Sequence, residues 1–165
     1  MRSTLIAAAI LVPGAPLTAN AQYGRLTAAT DVVNLFKTSC LSTGPGFSTS
    51  IPLKAKLGHW DELGLTAKAR PGDRGWLIAI KGQPSILDIK KPSPTSETCS
   101  VSAVTSPQDV VAAINKLTGK SATQKSGAHG AVLYNWLRSP KAPFPISVSV
   151  NPGQAMARIT ATSQR

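Results

Sequence analysis

Acidic side chains are scarce in this chain: 7 Asp and Glu among 165 residues, beside 2 His and 2 Cys. Any acid–base or metal site must therefore be drawn from a small pool. The spacings such sites use are also missing. There is no H-x-x-x-H, no cysteine pair at zinc spacing and no acid-rich loop at calcium spacing. Neither C-x-x-C nor the nucleophile-elbow pattern G-x-S-x-G occurs, which removes the usual marks of thiol exchange and serine hydrolysis. The glycine turns Gly44-Pro45-Gly46 and Gly127-Ala128-His129-Gly130 lack the lysine and helix context of a phosphate loop. No cofactor and no metal is expected. Aromatic residues make up 5% of the chain and are not interleaved with the cations, a poor match to the stacking platforms of single-strand nucleic-acid binders. Solenoid repeats, heptads and long low-complexity tracts are absent too.

Long apolar runs are equally few. The one at the N-terminus, Leu5 to Val12, follows the positive Arg2 and precedes a short tract ending Ala19-Asn20-Ala21. That order is the secretory pattern, with small residues at Ala19 and Ala21 for a signal peptidase. The run is far shorter than the roughly 20 apolar residues of a bilayer-spanning helix. The reading is a signal peptide over residues 1–21 and a periplasmic or secreted domain over 22–165, without a transmembrane segment.

The strongest compositional signal is charge. Eighteen Lys and Arg against seven acids give a formal +11, and loss of Arg2 with the leader leaves +10. Such a balance favours anionic partners such as envelope polymers, lipid head groups or acidic glycans. The cations are spread along the chain as Lys54 and Lys56, then Lys68, Arg70 and Arg74, then Lys90 and Lys91, then Lys116, Lys120 and Lys125, then Arg138 and Lys141. Lys68, Arg70, Arg74, Lys90 and Lys91 are the candidate anion-binding group. A basic surface merely solvated, with no dedicated partner, is the alternative.

Cys40 and Cys99 suit an oxidising compartment. A bridge between them closes a loop of roughly sixty residues, worth about 4 kcal/mol in the chain-entropy model. Two separate buried thiols are the other reading.

Periodicity gives the elements. Thr30-Asp31 offers a cap and a first-turn acid, and Val32, Val33, Phe36 and Cys40 fall on one helical face. A shorter helix is predicted over Ser50 to Leu57, with Pro52 in its first turn and Gly58 ending it. Asp61 to Asp73 reads as an exposed connection. Strands are predicted over Trp76–Ile80, Ser85–Lys90 and Glu97–Thr105, with turns at Gly82-Gln83-Pro84 and Lys91-Pro92-Ser93-Pro94. Ser106-Pro107-Gln108-Asp109 starts a helix that Gly119 ends. Lys120 to Gly127 reads as a loop. Three further strands follow, over Gly130–Arg138, Pro145–Val150 and Gln154–Thr162, the last two joined by Asn151-Pro152-Gly153. Strands arriving in runs point to a single α+β domain, an antiparallel sheet of five or six strands packed by two or three helices, with one disulfide.

His59-Trp60-Asp61-Glu62 is the densest chemical group. It supports two readings. His59 could act as a base with Asp61 or Glu62 in an envelope hydrolase, which needs convergence that adjacency does not supply. Otherwise His59 is a polar residue at a helix end, Trp60 packs back on the core and both acids face water. His129 reads as a loop residue.

Phe36-x-x-x-Cys40-Leu41, a helix ending Gly58-His59-Trp60, and Cys99 followed by a helix together resemble small secreted two-cysteine proteins of unknown function from proteobacteria. The resemblance implies the same address and the same cysteine pairing, and it carries no activity. The expected function is that of a small exported, non-enzymatic protein associating with anionic envelope components. The rivals are the hydrolase and an interaction or inhibitor module presenting the Lys68–Arg74 loop.

Overall fold

The computed structural model describes residues 25–44, 46–64, 69–127, 130–151 and 153–164. The predicted signal peptide, Lys68, Pro45, His129 and Pro152 lie outside the described residues.

Helix α1 (Ala29–Ser39) buries the predicted stripe of Val32, Val33 and Phe36. Its N-cap is Ala28, not Thr30, and no side chain caps it. The chain entry is fixed from the sheet instead, because Thr27 donates its N–H to the Val104 carbonyl and accepts from Thr105 Oγ1 at 2.7 Å.

After a 3-10 turn (Leu41–Thr43), α2 runs over Phe47–Leu57. It starts three residues before the predicted Ser50, which leaves Pro52 inside the helix and not in its first turn. The cause is a distant cap. Glu97 accepts the Ser48 backbone N–H at 3.1 Å and the Ser48 hydroxyl at 2.7 Å, which satisfies an orphan donor and places a carboxylate at the positive helix end.

Eight strands form one antiparallel sheet, two more than the upper expectation. They are β1 (Asp61–Glu62), β2 (Arg74–Ile80), β3 (Gln83–Ser93), β4 (Ser96–Val104), β5 (Thr123–Ser126), β6 (Val132–Trp136), β7 (Ile146–Val150) and β8 (Met156–Gln164), in the order β1-β2-β3-β4-β8-β7-β6-β5. The additions, β1 and β5, occupy segments read as an exposed connection and a loop. Both are short sheet edges, and every residue in them is exposed. An edge held by backbone pairing alone needs no apolar alternation, so it leaves no periodic signal.

The turn before β3 is Lys81-Gly82, both at positive φ, with Ile80 paired to Gln83. That is the two-residue hairpin geometry that matches strand twist, so Gln83 and Pro84 belong to the strand. The register shift between Lys90 and Ser93 carries β3 through the segment predicted as a loop.

Helix α3 (Pro107–Thr118) forms as its start signal requires: Ser106 accepts the Asp109 N–H, and Gly119 takes the left-handed C-cap conformation. The helices cover one sheet face. Leu87, Ile89, Cys99, Val101, Ile146, Val148 and Ile159 point into that layer and are fully or almost fully buried.

Cys40 and Cys99 form a disulfide, Cα atoms 5.6 Å apart, tying the end of α1 to β4. It is compatible with an extracytoplasmic location. Trp136 Nε1, on β6, donates to Asn115 Oδ1 of α3 at 2.9 Å. Across the strands, Trp136 faces Ile146, Ile146 faces Ala161 and Ala161 faces Cys99. Helices α1 and α3 therefore start together near Val104 and Thr105 and end at one level of the sheet, α1 at Cys99 and α3 at Trp136. Among the described residues no helix is long and apolar enough to cross a membrane.

Candidate functional site

The His59 group sits where α2 stops. Gly58 is the C-cap, and His59 follows at φ 52°. Trp60 donates its N–H to the Ala55 carbonyl at 3.0 Å and His59 to Lys56 at 3.4 Å. This is the paired closure of a Schellman motif, with histidine in the left-handed position that glycine usually fills. Trp60 folds back over Gly58, where an added Cβ would lie 2.6 Å from its indole nitrogen. The ring is half-buried and packed on the core, as the structural reading of this segment expected.

Strand pairing separates the two neighbouring acids. Glu62 pairs with Trp76 and lies on the helix side of the sheet, whereas Asp61 pairs with Leu77 and lies on the opposite side. A cleft of about 540 Å³ results, lined by Leu53 and Lys56 from α2, His59, Trp60, Glu62 and Arg74, with Trp76 at its base.

Arg74 dominates the polar wall. Its Nε and Nη2 each donate 2.7 Å bonds to the two Glu62 oxygens, and its guanidinium lies 5.3 Å from the centroid of the Trp76 ring. Those hydrogen bonds hold the Glu62 carboxyl below its usual range and push Arg74 upward. A base or proton donor at Glu62 would first have to leave Arg74. Among the described residues lining the cleft there is no serine, threonine or cysteine.

The candidate anion-binding group converges in part. Arg70, Arg74, Lys90 and Lys91 gather where β2 begins and β3 ends, and Asp73 ties the turn together. It accepts the Arg70 N–H on one oxygen and the Lys91 N–H on the other, each at 3.0 Å. Burial of Asp73 opposes its charge. The two N–H bonds, with the Lys90 and Arg70 cations, outweigh that cost and lower its pKa.

Two of these four cations are paired with a carboxylate. Arg74 holds Glu62, Lys91 Nζ lies 3.5 Å from Glu97, and Arg70 donates to the Pro92 carbonyl at 2.7 Å. Lys90 is exposed.

Uncompensated charge also lies on the helical layer. Lys37, Lys54, Lys56, Lys116 and Lys120 have no carboxylate within ion-pair distance among the described residues. Lys37 and Lys116 line one groove of about 470 Å³ between α1 and α3. Lys54 Nζ reaches the Thr38 carbonyl at 2.6 Å, one residue from Lys37. Lysine in the last turn of a helix is the signal that links Lys37, Lys54, Lys56 and Lys116, since each complements the negative helix end. Spacing along the chain conceals the grouping because α1 and α3 are distant in sequence.

Family models, curated proteins and solved structures were each compared with the chain, and none matches it.

Proposed function

We propose that the protein is an exported, non-enzymatic binding protein that associates with anionic envelope polymers or lipids through the lysines of its helical layer. One observation carries the reading: among the described residues no carboxylate lies within ion-pair distance of those lysines. Glu62, Asp88 and Glu97 bind arginine or lysine on the strands, and Asp31 binds Lys81 at the β2–β3 turn. Asp109, at the opposite end of α3 from Lys116, is the acid in the α1–α3 groove. The formal +10 left after loss of the leader, distributed in this way, gives a basic band over the helix ends. Export follows from the leader pattern and agrees with a bridged Cys40 and Cys99.

The test is retention on heparin or on vesicles containing phosphatidylglycerol. Retention falls as salt rises, because screening weakens a charge-driven contact. The variant Lys37→Glu/Lys56→Glu/Lys116→Glu elutes at much lower salt, while Lys90→Glu elutes near wild type. Retention that ignores salt, or equal loss in both variants, overturns the reading.

A further inference from the structure

Helix α2 is apolar on two opposite sides. Phe47, Ile51 and Ala55 form its buried stripe. At roughly 100° per residue, Leu53 lies about 200° from both Ile51 and Ala55, so it points away from the core. Leu57, one turn further on, shares that outward side. The two leucines are 61% and 73% exposed. Lys56 flanks this ridge on one side and Lys54 on the other. Trp60 ends the helix on the wall of the cleft that Leu53 also lines.

We infer that this outward face docks on an anionic membrane surface, with Leu53 and Leu57 entering the boundary between head groups and acyl chains and the flanking lysines meeting lipid phosphates. The inference rests on the proposed association with anionic components and assigns the lipid as the partner of α2. Exposed leucines flanked by lysines, with a tryptophan just past the helix end, are residue types that suit a membrane–water interface. Charge complementarity selects the lipid over a second copy of the chain. Two such faces would bring Lys54 and Lys56 against their own counterparts on molecules each carrying +10 without the leader. Two leucines also offer far less apolar area than the roughly 1,200 Å² that a specific protein interface buries.

The experiment uses the chain from Gln22 onward, which holds every element described above. Binding is measured by co-sedimentation with vesicles of equal parts phosphatidylglycerol and phosphatidylcholine, and in parallel on heparin. Trp76 and Trp136 are each 2% exposed, so a change in tryptophan emission on vesicles reports Trp60. Leu53→Ser/Leu57→Ser, at exposed positions, keeps the wild-type fold by circular dichroism and heparin retention. Its vesicle partition falls by about tenfold or more, and the blue shift of emission disappears. Trp60→Phe loses the shift and still sediments. Unchanged vesicle partition in the double-leucine variant overturns the inference. Heparin binding by wild type without vesicle binding overturns it too, and leaves the broader association standing. Binding to neither brings down both.

Discussion

Glu97 and Ser48, 49 residues apart in sequence, share two hydrogen bonds that start helix α2. The Glu97 carboxylate is almost wholly buried, on the same side of β4 as the disulfide, and also meets Lys91. A neutral amide in its place keeps one acceptor and loses the charge at the helix end. Glu97→Gln is expected to lower unfolding stability by about 1–2 kcal/mol. Urea unfolding monitored by circular dichroism measures it. Ser48→Ala, which removes the hydroxyl and keeps the N–H, costs about 1 kcal/mol.

What was legible in the sequence divides along the range of the interactions. Ser106 was readable as a cap because its acceptor and the Asp109 donor lie three residues apart. The α1 stripe and the strand cores were readable because burial follows a local period. The start of α2 was not, since Glu97 does the capping, and Pro52 drew the predicted start toward itself. Asp88 shows the same limit. It lies on the sheet face away from the helices, yet it is 8% exposed and bonded at 2.7 Å to Arg158, 70 residues away. Of the candidate group Lys68, Arg70, Arg74, Lys90 and Lys91, the pairing of Arg74 with Glu62 and of Lys91 with Glu97 depends on which strands lie side by side.

Gly58 and His59 make opposite predictions. Gly58→Ala drives a methyl against the Trp60 indole and is expected to destabilise by about 1–2 kcal/mol. His59→Gly places glycine at φ 52°, where an L side chain is strained, and is expected to stabilise by about 0.5–1 kcal/mol. Thermal unfolding of the two variants decides the matter. A strong loss of stability in His59→Gly would show that the imidazole makes a contact beyond ending the helix.

Glu62 and Asp73 give the fold an acid-side dependence. Both titrate lower in the folded chain than in the unfolded one. Their contribution is therefore complete above the ordinary carboxylate range near pH 4, and is lost as pH falls through their lower folded values. The urea midpoint is expected to be flat from about pH 7 to 5 and to drop below about pH 4. Asp73→Asn lowers the midpoint at neutral pH and narrows the gap to wild type in acid, because protonated Asp73 has lost the charge that the variant lacks. Glu62 is exposed, so its share is small and shrinks in high salt. A constant gap across this range would mean that Asp73 acts through packing alone.

The disulfide is expected to contribute more than any single contact above. It joins two fully buried half-cystines 59 residues apart, and it holds the end of α1 against the strand that also caps α2. Opening the loop releases chain entropy in the unfolded state, so Cys40→Ala/Cys99→Ala is expected to lose about 4 kcal/mol. Because neither sulfur is exposed, a mild reductant should leave the native protein intact and act rapidly once urea exposes the bridge. Mass shifts after thiol alkylation, taken across the unfolding transition, follow both events. Rapid alkylation in native buffer would place the bridge at the surface, contrary to its position between α1 and β4.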